Sequence, residues 1–178
     1  MKTGSLLIKT TMLFALLAGT AAAEPKNGFG LNGGLANHSR DCGPGCTASS
    51  TSGLSLGIDY QFALSNNLSL SPFLMSSGET SSNVSGITFG HGILGAQLRF
   101  WAGDMFFGGH LASYSEVITS GGVSLSGNGG GAGLVAGWES PNSGWYAMGQ
   151  LDSATIKYSG FLDTKLSAFR LSGGYRWK

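Results

Sequence analysis

From residue 27 to the C-terminus, apolar and polar side chains alternate with period two in eight stretches, the spacing of strands with two unlike faces. The alternation is cleanest in residues 53–64. There Leu54, Leu56, Ile58, Tyr60, Phe62 and Leu64 share one side and Ser55, Gly57, Asp59, Gln61 and Ala63 the other. In the closing stretch, 166–178, Phe169, Leu171, Tyr175 and Trp177 oppose Ala168, Arg170, Ser172 and Arg176. Residues 27–39 set Phe29, Leu31, Gly33 and Leu35 on the apolar side, and 87–101 set Leu94, Ala96, Leu98 and Phe100 there, with Gln97 and Arg99 behind. In 105–117, Met105, Phe107, Gly109 and Leu111 oppose His110, Tyr114 and Glu116, with Phe106 inward. In 145–158, Ala147, Gly149 and Leu151 oppose Gln150 and Asp152. Two stretches are less regular. Residues 68–76 contain Pro72, which lacks a ladder donor, and 131–139 have an ambiguous face because Leu134, Val135, Ala136 and Trp138 do not alternate strictly.

The connections alternate in length. Residues 65–67, 102–104 and 140–144 are tight turns; residues 40–52, 77–86, 119–130 and 160–164 are longer and polar. Eight strands with short and long connections in turn predict an all-β, eight-stranded antiparallel up-and-down barrel, apolar outside and polar within. No segment of residues 24–178 approaches the ~20 consecutive apolar residues of a membrane-crossing helix. A chain of this pattern therefore spans a bilayer only as a closed barrel, because open strand edges cannot be hydrogen-bonded in hydrocarbon. Trp101, Trp138 and Trp145 flank the tight turns and Trp177 lies at the end of the last strand, which predicts an aromatic girdle at one membrane face. The alternatives are a β-sandwich with these rings in its core and a soluble lipocalin-like barrel.

Composition changes this picture at the N-terminus. Residues 1–23 carry Lys2 and Lys9, an apolar centre and the small residues Ala21, Ala22 and Ala23, the pattern of a cleaved signal peptide. The remaining residues, 24–178, form a single barrel domain. The full chain has ten Lys+Arg and nine Asp+Glu; losing two lysines leaves a net charge of −1, too little positive charge for nucleic-acid binding. Cys42 and Cys46 enclose Gly-Pro-Gly, and in an exported chain such a pair predicts a disulfide. Metal binding there is the alternative, but His38 is the only further Cys or His nearby, and neither a metal site nor a cofactor is expected.

The layout resembles that of the small eight-stranded outer-membrane proteins, the group containing the OmpA transmembrane domain, OmpX and Ail. Residues 166–178 resemble the C-terminal strand those proteins present to the barrel-assembly machinery, although Lys178 follows Trp177 where an aromatic residue usually ends the chain. The resemblance implies the outer membrane of a Gram-negative bacterium, contact with its lipid, and a structural or surface-interaction role. It also implies an extracellular ligand or host surface met through the connections 40–52, 77–86 and 119–130.

An eight-stranded barrel has an interior just wide enough for side chains to fill. The expected inward residues are Asp59, Gln61, Gln97, Arg99, His110, Glu116, Gln150, Asp152, Arg170 and Arg176. Charges enclosed there have to pair, so Asp59, Arg99, Glu116, Asp152, Arg170 and Arg176 predict an ionic network plugging the lumen. A small-solute channel gated by Arg99, Asp59 and Arg170 is the functional alternative. A lipid A-modifying hydrolase is a second alternative. Barrel enzymes of that kind carry a His-x-Ser pair, whereas the three histidines here lie in His38-Ser39-Arg40, His91-Gly92-Ile93 and His110-Leu111-Ala112-Ser113. His110 and Glu116 share a strand side but stand about 20 Å apart at strand rise, beyond direct contact. No catalytic residue is expected, and the histidines read as satisfied polar residues.

Overall fold

The structure, a computed structural model, describes residues 24–41, 43, 49–81, 86–159 and 163–178. Residues 1–23, Cys42 and Cys46 lie outside the described residues, and with them the expected signal peptide and disulfide. The described chain forms eight strands: β1 (Gly28–Asp41), β2 (Ser49–Ser65), β3 (Leu68–Ser81), β4 (Ile87–Ala102), β5 (Met105–Ser120), β6 (Val123–Glu139), β7 (Trp145–Tyr158) and β8 (Thr164–Trp177). Each pairs antiparallel with its sequence neighbours, and β1 pairs with β8, so the sheet closes in the order β1 to β8. Closure leaves no open edge.

The outer surface carries an apolar belt built from the alternation. Leu35, Leu54, Leu74, Leu94, Leu111, Leu134, Leu151 and Phe169 mark one margin; Phe29, Leu64, Phe100, Met105, Trp138, Trp145 and Trp177 mark the margin beside the chain termini, and all are exposed. Above the first margin the outward positions change to Asn37, Ser39, Ser52, Ser76, Thr80, Ser113, Ser115, Ser153, Thr155, Lys165 and Ser167. The strands thus continue beyond the belt as a hydrophilic collar.

That collar corrects three expected loops. Strand β1 runs to Asp41, β2 starts at Ser49 and β3 runs to Ser81, so much of 40–52 and 77–86 is strand. Residues 119–130 form no long loop: Ser120 pairs with Val123, and Gly121 and Gly122 make the whole turn, with φ of 58° and 83°. Positive φ at both central residues is the hairpin geometry that matches strand twist, and glycine adopts it without a Cβ clash. Ser, Thr and Gly on the outward face removed the apolar signal while the ladder continued beneath it. Pro72 in β3 behaves as its missing N–H dictates. The β2–β3 ladder omits the positions between Asp59↔Phe73 and Phe62↔Leu70, whereas Pro72 pairs with Ala96 on the β4 side.

Candidate functional site

Inward polar side chains gather at three levels along the barrel, with buried apolar clusters packed among them. In the tier nearest the termini, Asp59 from β2 accepts from Arg176 of β8 at 2.9 Å and lies 3.4 Å from Arg99 of β4. Its second oxygen accepts from the Tyr146 hydroxyl at 3.1 Å. Arg99 also donates to Gln97 at 2.6 and 2.9 Å and to Gln61 at 3.1 Å. Arg176 Nε reaches Glu139 at 3.0 Å, and Lys178 meets the other Glu139 oxygen at 3.1 Å. Packing at this level depends on small residues: a Cβ on Gly30 would stand 2.5 Å from an Asp59 oxygen.

The middle tier is centred on Asp152 of β7. Its carboxylate pairs with Arg170 of β8, accepts from the Tyr114 hydroxyl at 3.1 Å and lies 2.6 Å from His110 Nε2. Arg170 extends upward to His38 Nε2 at 2.7 Å. Phe73, Met75, Ile93, Tyr114, Ile156 and Leu166 form a buried apolar cluster around these groups.

The third tier lies at the collar end. Glu79 of β3 contacts His38 Nδ1 and accepts from the Thr51 hydroxyl, and lies 3.5 Å from His91 Nε2 and 3.7 Å from Arg40. Glu116 of β5 accepts from Arg40 Nε at 2.5 Å and from Tyr158. The rings of His38 and His91 stack, with centroids 4.2 Å apart and planes 7° from parallel. Arg40 lies over the Phe89 ring and 2.8 Å from His91 Nε2. A guanidinium only donates, so the Nε2 atoms facing Arg40 and Arg170 are acceptors and each of these histidines carries its proton on Nδ1.

Asp59, Arg99, Glu116, Asp152, Arg170 and Arg176 all face the lumen and are buried, as are Gln61, Gln97, His110 and Gln150. They fall into two connected groups. Asp59, Arg99 and Arg176 meet in the first tier, whereas Asp152 and Arg170 of the second are joined through His38, Glu79 and Arg40 to Glu116 in the third. His110 and Glu116 occupy different tiers with different partners.

The expected girdle requires one correction. Trp138, Trp145 and Trp177 are exposed on the belt's margin, but Trp101 is buried inside, where its indole N–H donates to Ser69 Oγ at 2.9 Å and its ring packs on Phe106. Strand parity dictates this. Phe100 faces out beside Phe107, so its neighbour must face in.

Arg40, Glu79 and Glu139 were missing from the expected lumen. Parity carried through the polar stretches would have found the first two. Arg40 continues the even positions of Asn32, Ala36 and His38, and Glu79 continues the odd positions of Phe73, Met75 and Ser77, all buried.

No protein-family model matches the chain, and no curated protein matches it. Solved structures do. Neisserial surface protein A is 11% identical, covers 84% of this chain and 97% of its own, and superposes with a TM-score of 0.60. Ail, the attachment invasion locus protein of Yersinia pestis, is 19% identical over 86% of this chain and all of its own, with a TM-score of 0.52. Ail in complex with the heparin analogue sucrose octasulfate gives 18% identity and a TM-score of 0.51. Closed β1–β8 pairing, the outward apolar belt and these superpositions together give this chain the fold of the small eight-stranded outer-membrane β-barrels.

Proposed function

We propose that the protein is an integral outer-membrane barrel with a structural or surface-interaction role, no catalysis, and a lumen closed to solutes by its side chains. The observation that carries this reading is the inversion of polarity across one sheet: leucines and aromatics exposed outside, and arginines paired with carboxylates inside. A soluble barrel would require the reverse. Export by a signal peptide in residues 1–23, delivery through β8 to the barrel-assembly machinery, and a Cys42–Cys46 disulfide belong to the same proposal. The belt would contact outer-membrane lipid, with the hydrophilic collar outside the cell. A role in surface contact is supported by the likeness to a surface protein and an attachment protein, and would be exercised by the ends of the hairpins around residues 40–52, 77–86 and 119–130.

Fractionation followed by gel electrophoresis with and without boiling tests the location. The mature protein should be found in the outer membrane and should change mobility on heating; recovery as a soluble periplasmic protein would refute the reading. Planar-bilayer recordings test the lumen. Protein that inserts without conductance steps supports closure, whereas resolved openings would make it a channel.

A further inference from the structure

We propose that His38, Glu79 and His91 form a binding site for a divalent transition-metal ion of the zinc type, at the collar end of the lumen. The three side chains come from β1, β3 and β4, are buried, and place one ligand atom each within 4.8 Å of the others. Two imidazoles and a carboxylate are a donor set suited to zinc, which takes nitrogen and oxygen ligands in a tetrahedron. Glu116 Oε1, 3.5 Å from His91 Nε2, already accepts from Arg40 Nε at 2.5 Å, so the fourth position falls to solvent.

Charge provides a second, independent argument. In the first tier, Asp59 and Glu139 face Arg99, Arg176 and Lys178; in the second, Asp152 is matched by Arg170. In the third, Glu79 and Glu116 share Arg40, while Arg170, already paired with Asp152, reaches this level only through His38 Nε2. Among the described residues, lumen carboxylates outnumber guanidiniums where the nitrogen ligands converge. A buried carboxylate short of a counter-charge is unfavourable, and a divalent cation supplies one.

Arg40 and Arg170 are the competitors. Arg40 NH2 occupies the direction of the His91 Nε2 lone pair at 2.8 Å, so the ion displaces that guanidinium toward Glu116, which already holds Arg40 Nε. His38 meets the ion through Nδ1, the atom beside Glu79, so its proton moves to Nε2 and Arg170 turns from that atom to Asp152, which it already pairs. His38 lies three residues from the end of β1 and Glu79 two from the end of β3, so the route in from solution is short. Bound metal would tie β1, β3 and β4 together across the mouth of the barrel. The proposal rests on lumen geometry and stands whether or not the protein has a surface-interaction role.

The test uses the full mature barrel folded in detergent free of lipopolysaccharide. Cys42 and Cys46 are replaced by serine so that thiolates cannot hold the ion. Zinc is titrated against a chromophoric chelator, and cobalt is used to read the ligand field. One ion per barrel, a thiolate-free cobalt spectrum, and affinity reduced more than about 100-fold in Glu79→Gln and His91→Gln are expected. His110→Asn, altered one tier away, should retain one-to-one binding. Arg40→Met should tighten binding roughly tenfold by removing the competing guanidinium, and carries the test if a ligand variant fails to fold. Absence of stoichiometric binding to the folded protein, equal affinity in folded ligand variants, or no gain in Arg40→Met would overturn the proposal.

Discussion

Arg176 and Asp59 meet at 2.9 Å inside the barrel, joining β8 to β2 across β1, the strand that closes the sheet. Both are buried, and Asp59 also neutralises Arg99. Asp59→Asn would keep the shape and leave two guanidiniums without their shared charge. Breaking a buried pair from one side destabilises by about 3–5 kcal/mol. Urea unfolding in lipid vesicles, followed by tryptophan fluorescence, should show a loss of that order. An unchanged midpoint would show that this tier is hydrated and its charges screened.

The burial of Trp101 gives a prediction that separates it from the other tryptophans. Trp101→Phe removes the donor to Ser69 and leaves a buried hydroxyl unmatched, destabilising by about 1–3 kcal/mol. Trp138→Phe, on the outer margin, should change stability far less. Comparable losses from the two in denaturant unfolding would contradict the inward placement.

The margin between belt and collar can be located energetically. Leu134 and Leu151 are neighbours on the apolar belt, whereas Ser167 lies on the collar. Ile58→Arg, in mid-belt between Leu54 and Leu64, should destabilise the bilayer-folded protein by up to about 2–4 kcal/mol, and Ser167→Arg by about 0–1 kcal/mol. Equal effects would mean that the bilayer does not end where outward leucines give way to serines.

The β5–β6 hairpin depends on the Gly121–Gly122 turn. With φ near 83° at Gly122, an alanine side chain is strained, and Gly122→Ala should destabilise by about 1 kcal/mol. Gly130, where an added Cβ meets nothing within 4 Å, is the matched control. If 119–130 were an irregular loop instead, the two substitutions would be indistinguishable by unfolding.

Much of the fold was legible because its signal is local. Leu54 to Leu64 declare their face by position alone, and Asp59 and Gln61 must then share the other. The same rule, applied at Phe100, turns Trp101 inward, against the preference of tryptophan near a turn for the membrane margin. Arg40 and Glu79 were lost for a related reason. Their outward neighbours are Ser39, Asp41, Gly78 and Thr80, so nothing apolar marks the alternation that still places them inside.

Period two alone predicts eight two-faced strands with an apolar exterior and a charged interior, because side-chain direction in a strand follows from position. Which charges meet is set by the closed fold. Parity says that Arg176, Arg99 and Asp59 all point inward, but not that they share one level while Glu116 lies near Arg40 and His91 two tiers away. Level depends on register between strands and on the stagger accumulated around the closed sheet. Those follow from the summed hydrogen bonding and packing of all eight pairs, so His38 and His91, 53 residues apart in the chain, became stacked neighbours only when the barrel closed.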